Sequence, residues 1–409
     1  MPQPASIPQR NIAIDIFRAL TMFVMIFVND FWKIHDVPHW LEHAEWGEDF
    51  MGLSDVVFPC FLFVVGMSVP LAIERRYSRG YSVESTFGHI FSRTFALLVM
   101  GVFITNSEAG LHPEVSYRIG IYWILMVVAF ILIWNRYPQG GGLQKERRYK
   151  LLQFAGVLIL LYLAITFRDP DGKVFSAGWW GILGAIGWSY LLCATIYVFV
   201  RDDLKRLFLA WLIFVAICIL GSKMRETYGG EALLALPRPN FYHDLLGVLH
   251  IGNGALPAFT MGGMILSLAV MRYREVSAQK RLLFTLVVVG LFVLAGAVSR
   301  HFWILAKLGA TPPWVFYITA IATGMYMLLE GLVKAGKASW FKVIIPAGTA
   351  TLTTYLVPYL FYSLADITGI VLPDWLTYGP MGLVNCLLFA FMTIGVTQLL
   401  VRLGIQLKI

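Results

Sequence analysis

Residues 53–74 read LSDVVFPCFLFVVGMSVPLAIE, an apolar run whose charged residues, Asp55 and Glu74, stand near its two ends. A run of about 20 apolar residues crosses the hydrocarbon core of a bilayer as one helix, and a helix satisfies its own backbone hydrogen bonds there. The stretch therefore predicts a transmembrane helix. Runs of the same kind on either side of it predict twelve spans in all, at residues 11–33, 53–74, 88–105, 117–135, 150–167, 179–200, 206–222, 253–272, 281–299, 314–334, 341–364 and 378–402.

Composition supports a membrane protein. Of the 409 residues, 58% are hydrophobic and only 14% charged, whereas soluble domains carry roughly a quarter charged residues. We predict an all-α polytopic helix bundle that forms a single domain over residues 1–409, with the softest span boundaries between 150 and 222. The four cysteines fall within predicted spans at no zinc or disulfide spacing, so they indicate small core residues and no metal is expected.

The basic loops predict the orientation, because cytoplasmic loops of membrane proteins carry an excess of Lys and Arg. The loops after alternate spans are basic, as are both ends of the chain, whereas the intervening loops are mixed or acidic. Both termini are therefore expected in the cytoplasm of a bacterial cell, with the protein in its inner membrane. The net charge of +8 follows from this topology and does not indicate nucleic-acid binding. The basic residues are Arg10, Arg75, Arg76, Arg79, Arg136, Lys145, Arg147, Arg148, Lys150, Arg201, Lys205, Arg206, Arg272, Arg274, Lys280, Arg281, Lys334, Lys337, Lys342, Arg402 and Lys408.

Polar residues near the outer face form a candidate site. His43 lies in the outward loop 34–52, and Asp55 opens the second span. Histidine is the side chain best suited to proton transfer near neutral pH. A metal site is the weaker interpretation, because Pro38 interrupts any helix that would align His35 and His39 with His43. Further polar residues are predicted at the same face, either as a polar ring or as interface residues with no catalytic role: Asn29, Arg118, His250, Asn253, His301 and Lys307.

Two other patterns favour structural roles. Asp15 and Arg18 are three residues apart in the first span, so they share a helix face and are expected to pair. Six tryptophans near span ends favour an aromatic belt at the membrane interfaces over ligand stacking. They are Trp40, Trp46, Trp179, Trp180, Trp314 and Trp375.

Residues 15–68 resemble the transmembrane acetyltransferases typified by heparan-α-glucosaminide N-acetyltransferase. The resemblance rests on Asp15-Ile16-Phe17-Arg18, on Asn29 at the end of that helix, on His43-Ala44-Glu45-Trp46, and on Gly52-Leu53-Ser54-Asp55-Val56-Val57-Phe58-Pro59. Later segments, including residues 310–314, look like a bacterial branch associated with amino-sugar utilisation. Twelve spans would then be a ten-helix family core plus an extra hairpin.

The resemblance implies which residues form the site. It implies that His43 is catalytic, that Asp55 and Arg118 belong to the site, and that the acceptor amine lies across the membrane from the cytoplasm. Acetyl-CoA is the implied donor and an amino sugar the implied acceptor. Seven residues are expected to contact substrate: Asn29, Trp46, Arg118, His250, Asn253, His301 and Lys307. Arginines are expected to bind the donor's phosphates: Arg18, Arg75, Arg76, Arg79 and Arg93.

The function expected on this basis is transfer of an acetyl group from cytoplasmic acetyl-CoA to an amine of glucosamine or a glucosaminide at the periplasmic face. His43 would act as a general base or as an acetyl-carrying nucleophile, with Asp55 orienting it and Asn29 or Arg118 stabilising the oxyanion. A secondary transporter of an amino sugar and an O-acyltransferase acting on a surface polysaccharide are the alternatives. Besides the bilayer and the two substrates, a second copy of the chain in a homodimer is a candidate partner.

Overall fold

A computed structural model describes residues 11–138, 140, 142–237, 240–273 and 276–409. Arg10 and Arg274, which contributed to the predicted orientation, lie outside the described residues. Within those ranges the chain forms helices and isolated β-bridges but no β-strand. The α-helices are α1 (Ile12–Asn29), α2 (Leu53–Ser78), α3 (Val83–Glu108), α4 (Ile119–Trp134), α5 (Leu143–Thr166), α6 (Gly181–Val200), α7 (Leu204–Gly221), α8 (Phe241–Val248), α9 (Ala255–Arg272), α10 (Ala278–Ser299), α11 (Pro312–Lys334), α12 (Ile345–Thr349), α13 (Thr351–Thr368) and α14 (Gly379–Arg402). Short 3-10 helices cover Phe31–Lys33, His39–Leu41, Glu226–Tyr228, Ser339–Val343 and Asp374–Leu376.

The predicted all-α membrane bundle is confirmed. In the described part of the chain, ten helices are long and apolar enough to cross a membrane, and each coincides with a predicted span. An eleventh predicted span corresponds to α4, an apolar helix of 16 residues. The chain is therefore a multi-pass membrane protein.

The predicted continuous span 341–364 is wrong. The structure divides this stretch into the 3-10 helix Ser339–Val343, α12 and α13. Ala350 separates the last two, with φ −123° and ψ 43°, outside the helical region. Pro346 lies in the first turn of α12 and lacks a backbone N–H, so it begins a helix more readily than it continues one.

The described residues form two compact units. The first unit contains the described residues up to Thr21, Val37–Phe91 and Trp188–Val343; the second contains Met22–Asp36, Ser92–Gly187 and Ile344–Ile409. The expectation of a single domain over residues 1–409 stays a prediction.

The first unit is centred on close packing of α2 against α9. A Cβ atom at Gly66 would collide with the backbone carbonyl of Thr260, and one at Gly263 with that of Phe63. Small residues that let two helix backbones approach closely are typical of packing in membranes. The pair fixes α2, the helix whose first turn carries Asp55. Helices α7 and α11 also pack on α9.

In the second unit, α4 packs between α5 and α13. The backbone N–H of Gly120 donates to Asp366 Oδ2 over 3.0 Å, and the Gly120 carbonyl accepts a 2.5 Å hydrogen bond from Ser363 Oγ. A Cβ at Gly120 would lie 2.7 Å from Asp366 Oδ2, so this crossing also requires a glycine. These hydrogen bonds join the start of α4 to the C-terminal part of α13. Both helix ends adjoin loops that are predicted to face outward.

Candidate active site

His43 and Asp55 form the centre of the candidate site in the first unit. His43 follows the 3-10 helix His39–Leu41, and Asp55 lies in the first turn of α2. Asp55 Oδ2 accepts hydrogen bonds from the backbone N–H groups of Ala44 and Gly52, over 2.9 and 3.2 Å. Its other oxygen, Oδ1, lies 2.7 Å from His43 Nδ1. One buried carboxylate therefore holds both the loop backbone and the imidazole.

The local sequence explains why the loop closes onto α2 in this way. A Cβ at Gly52 would collide with the carbonyl oxygen of Glu42, so only glycine fits at this crossing. Ser54 Oγ adds a 2.6 Å hydrogen bond to the carbonyl of Leu41. The spacing between the histidine and the aspartate is thus fixed by backbone contacts on both sides of His43.

The contact to Asp55 decides what His43 can do chemically. The Asp55 side chain is 1% exposed and that of His43 51% exposed. The Asp55 carboxylate can only accept a hydrogen bond, so Nδ1 must be the donor. The ring proton of the neutral imidazole is therefore assigned to Nδ1, and Nε2 carries the lone pair. The exposed side of the imidazole is therefore equipped to accept a proton or to attack a carbonyl carbon.

Lys307, which precedes α11, brings a cation to the same pair. Its Nζ lies 3.0 Å from His43 Nδ1 and 3.7 Å from Asp55 Oδ1. Desolvation lowers the pKa of Lys307, although the Asp55 carboxylate opposes that shift. Since Nδ1 carries the proton shared with Asp55, the Lys307 ammonium acts mainly as the counter-charge of the carboxylate.

Trp314 corrects one expectation from the sequence. It was assigned to an interfacial belt, but its side chain is 1% exposed and its Nε1–H donates to the Asp55 backbone carbonyl over 3.2 Å. Its ring meets Phe259 of α9 edge to face at 4.9 Å between centroids. Trp314 directly follows Pro312 and Pro313 in the first turn of α11, and both prolines are buried as well. Trp40, Trp46, Trp179 and Trp375 are exposed, as an interfacial belt requires.

Asp49 forms a second polar cluster that sequence analysis missed. Its Oδ2 accepts from Arg225, and its Oδ1 accepts from Arg300 Nε over 3.2 Å and from the Leu305 N–H over 2.8 Å. Partial burial alone would raise the Asp49 pKa, but these three donors hold it below its ordinary value. The cluster joins the loop that carries His43 to the segment that carries Lys307.

A cavity of about 960 Å³ lies beside these loops in the first unit. Trp46, three residues after His43, lines it, as do Ala306 and Leu308, the two neighbours of Lys307. His43 itself is not among its lining residues. Lys223, Arg225 and Glu226 also line it, so its wall carries charges of both signs.

The structure separates the predicted outer ring into several environments. Asn253 lines the cavity, but its amide donates to the Ala310 carbonyl over 2.7 Å and also caps α9. His250 stacks on Trp188 at 3.9 Å between centroids, and burial lowers its pKa. His301 is exposed in the turn after α10. Of the predicted ring, Lys307 alone contacts the His43–Asp55 pair among the described residues.

Asn29 and Arg118 lie in the second unit. Asn29 lines a separate cavity there, and Arg118 begins α4 and donates to the Asp366 carbonyl over 3.3 Å. Arg18 is engaged elsewhere in the first unit: it donates to Ser68 Oγ over 2.5 Å and pairs with Asp15 at 3.4 Å. The predicted Asp15–Arg18 pair is confirmed.

The end of α2 that the loop charges predict to be cytoplasmic carries Arg75, Arg76 and Arg79, whereas Arg93 lies near the middle of α3. Arg75 and Arg76 occupy the last turn of α2, and Arg79 is its C-cap residue. Arg76 donates to the backbone carbonyl and the Oγ of Ser85, both over 3.1 Å. Arg93 lies in the part of α3 that belongs to the second unit.

Comparison with known proteins agrees with the resemblance at these residues. Residues 10–143 match the family described as heparan-alpha-glucosaminide N-acetyltransferase, catalytic. The chain is 28% identical over 178 residues to heparan-alpha-glucosaminide N-acetyltransferase of Mus musculus, covering 38% of this chain and 26% of that protein. Against the protein of that name from Homo sapiens it is 28% identical over 189 residues, covering 41% of this chain and 27% of the relative. The matched part thus spans about a quarter of the length of these relatives. The first third of this chain, with His43 and Asp55 in it, resembles the catalytic region of a transmembrane acetyltransferase family.

Proposed function

We propose that this protein transfers the acetyl group of acetyl-CoA to the amine of glucosamine or of a terminal glucosaminide at the outer face of the membrane. The geometry of His43, Asp55 and Lys307 carries the proposal, since it supplies an exposed base held by a buried carboxylate. The match to the acetyltransferase family over residues 10–143 supports the choice of reaction.

His43 supplies the proton acceptor. As the acceptor nitrogen attacks the thioester carbonyl, its proton passes to His43 Nε2, the new C–N bond forms, and the C–S bond breaks. The sulfur of CoA leaves and takes up the proton. In the other route Nε2 itself attacks the thioester carbonyl, the C–S bond breaks, and CoA leaves as the thiolate. The amine then attacks the acetyl group on Nε2, the new C–N bond forms as the bond to Nε2 breaks, and the proton of the amine passes through solvent to the thiolate. Both routes use the neutral imidazole, in which the contact of Nδ1 with Asp55 places the ring proton on Nδ1 and leaves the lone pair on Nε2.

Asp55 and Lys307 position and balance this base. Asp55 fixes the tautomer and the ring orientation, as carboxylates do in other histidine catalysis. The Lys307 ammonium, 3.7 Å from Asp55 Oδ1, balances the buried negative charge. The charges of Asp55 and Lys307 are therefore compensated before substrate arrives.

The donor must reach this base from the side on which it is made. Asp55 and Arg75 stand at opposite ends of α2, about 30 Å apart along the helix axis at 1.5 Å per residue. We propose that Arg75, Arg76 and Arg79 bind the phosphates of CoA. The donor then extends along most of α2, with its thioester toward His43.

The test is acetyl transfer by purified protein reconstituted into lipid vesicles, with radiolabelled acetyl-CoA and glucosamine. We expect His43→Ala to lower the rate by about 10²–10⁴-fold, the usual contribution of a general base. His39→Ala is the matched control, because that exposed histidine pairs with Glu48 in the same loop. Full transfer by His43→Ala would overturn the proposal.

Uptake of glucosamine without consumption of acetyl-CoA would favour a transporter instead. Transfer of the acetyl group to glucose alone would favour an O-acyltransferase.

A further inference from the structure

A second cavity lies wholly within the second unit, and its walls have a different character. It encloses about 590 Å³ at the end of α1, the end of α3, the start of α4 and the middle of α13. Its polar and aromatic lining is Asn29, Trp32, Ser107, Glu108, Trp123, Tyr355, Tyr359 and Tyr362. We call it the Glu108 cavity. Its volume lies within the usual range for small-molecule sites.

Charge in the Glu108 cavity is not balanced. Glu108 is the charged residue of its lining, and its side chain is exposed. The cation nearest to the aromatic wall, Lys33, pairs with Asp30 at 2.9 Å, and Asp30 is itself almost fully buried. Arg118, which begins α4, is directed to the Asp366 carbonyl. The carboxylate of Glu108 is therefore available to an external cation.

The wall around this carboxylate consists of aromatic rings that contact one another. Tyr359 lies between Tyr355, Tyr362 and Trp123, with ring centroids 6.4, 6.1 and 6.4 Å from its own. Trp32 meets Tyr362 edge to face at 5.7 Å. Aromatic faces attract cations, and cages of such rings recognise organic ammonium groups. In this wall Tyr362 already has a cation over it, because Lys33 Nζ lies 3.8 Å from its centroid.

One buried donor of the cavity also lacks a partner. The indole Nε1–H of Trp123 is buried and forms no hydrogen bond among the described residues. A buried donor without a partner costs roughly 1–3 kcal/mol, so a ligand that brings an acceptor to it gains that interaction in full. Hydroxyl groups of a sugar are acceptors of this kind, and the exposed Asn29 amide offers a further polar contact.

We infer that the Glu108 cavity is a binding site for a hydroxylated organic ammonium, and specifically for an amino sugar in its protonated form. The carboxylate and the aromatic rings recognise the ammonium, and Trp123 recognises a hydroxyl. The choice of an amino sugar among such ligands rests on the proposed function. The cavity has no histidine among the described residues that line it, so no imidazole there removes the proton of the ammonium.

The test measures equilibrium binding of glucosamine to the purified full-length protein carrying His43→Ala, at pH 7, where the amine is still largely protonated. Glucose and N-acetylglucosamine are the comparison ligands, because they keep the ring and lose the positive charge. We expect glucosamine to bind more tightly than either, and Glu108→Gln to weaken glucosamine binding by about tenfold or more, the usual effect of losing a charged hydrogen-bond partner. Glu114→Gln, an exposed carboxylate in the following loop, should leave it unchanged.

The aromatic wall is tested separately. Tyr359→Phe keeps the ring and should retain most of the binding, whereas Tyr359→Leu removes it and should not. Thermal unfolding of each variant verifies that it is folded. Equal binding of glucosamine and glucose, or binding unaffected by Glu108→Gln, would overturn the inference. Because the readout is binding to a protein without His43, a failure here leaves acetyl transfer standing, and charge-dependent binding without any acetyl transfer would refute the proposed function alone.

Discussion

The site at His43 and the Glu108 cavity differ in whether their polar groups have hydrogen-bond partners. Around His43 the central carboxylate is fully engaged: Asp55 accepts from Ala44, Gly52 and the imidazole. In the Glu108 cavity, Glu108 is an exposed residue, and the buried Trp123 N–H is left without a partner among the described residues. A paired network holds catalytic groups in one geometry before substrate arrives. Groups left open are satisfied only when a ligand binds, and on this difference we propose a reaction at the first region and ligand binding at the second.

The largest expected effect comes from Asp55→Asn. The oxygen of the introduced amide would accept the hydrogen bonds from the N–H groups of Ala44 and Gly52. The NH₂ of the amide would then face His43 Nδ1. The imidazole then accepts at Nδ1 and carries its proton on Nε2, where a base is needed. We expect kcat to fall by about 10³–10⁴-fold, as for other histidines forced into the wrong tautomer, with a small change in the melting temperature Tm.

Asp55→Glu retains a carboxylate, and partial recovery of activity in it would be consistent with this account. An Asp55→Asn protein with more than a tenth of the wild-type kcat would show that the carboxylate is not what prepares His43, and the contrast between the two regions would then fail.

Lys307 allows the charge balance of the network to be tested by pH. Since desolvation lowers its pKa below the ordinary value of 10.5, raising the pH neutralises Lys307 earlier than a free lysine and leaves Asp55 without its counter-charge. We expect kcat/KM to fall on this alkaline side in the wild type. Lys307→Met should lower kcat/KM by about tenfold at neutral pH and remove that alkaline limb.

Lys307→Arg provides the matched variant, because a guanidinium stays charged throughout. It should retain activity to higher pH than the wild type. An alkaline limb that persists unchanged in both variants would assign the titration to another group.

Asp49 gives a smaller effect, on stability. Its lowered pKa means that the folded state favours the carboxylate, so its stabilisation is complete above about pH 3.8, the ordinary aspartate value, and is lost as the pH falls below it. Asp49→Asn should therefore lower Tm at pH 7 by about 2 °C, equivalent to roughly 1 kcal/mol. The difference between variant and wild type should shrink as the pH falls below 3.8. A difference that stays constant with pH would mean that the shape of Asp49, rather than its charge, stabilises the loops.

The smallest effect compares two tryptophans directly. Trp314 Nε1 is hydrogen-bonded, whereas Trp123 Nε1 has no partner among the residues that the structure describes. Substitution of either by Phe removes similar volume, but only Trp314→Phe breaks a bond. We expect Trp314→Phe to be the more destabilising by about 1 kcal/mol, the net value of one hydrogen bond. If the two substitutions lowered the stability measured by thermal unfolding equally, the hydrogen bond of Trp314 would no longer distinguish the two regions.

Much of the fold could be predicted because hydropathy in a bilayer is a strong constraint. The helices α2, α9 and α14 follow directly from apolar runs of sufficient length. The stretch 341–364 was mispredicted because its composition is that of a span, while the interruption at Ala350 depends on backbone angles that composition does not specify. The mid-span glycines Gly66 and Gly263 gave no signal either, since their role depends on which helix each one meets.

The site was predictable where its residues are close in sequence. His43 and Asp55 were predicted from segments that resemble the acetyltransferase family, and the structure places Nδ1 and Oδ1 2.7 Å apart; their catalytic role stays a prediction. Asp49 was counted only as one acidic residue of an outward loop, because its partners Arg225, Arg300 and Leu305 are far away along the chain. Glu108 and Tyr359 were missed for the same reason: a cavity is formed by residues that only the folded structure brings together.

The contacts of Lys307 and Trp314 with residues near position 50 have a consequence for biosynthesis. His43 and Asp55 leave the ribosome within the first fifth of the chain, and their two remaining partners follow only after about three quarters of it has been made. During most of translation the buried carboxylate of Asp55 has no Lys307 to balance it. On the proposed function, catalytic competence would be acquired late, when α11 joins the helices already in the membrane. A nascent chain that stops after residue 143 would hold the family motif without its contacts to Lys307 and Trp314.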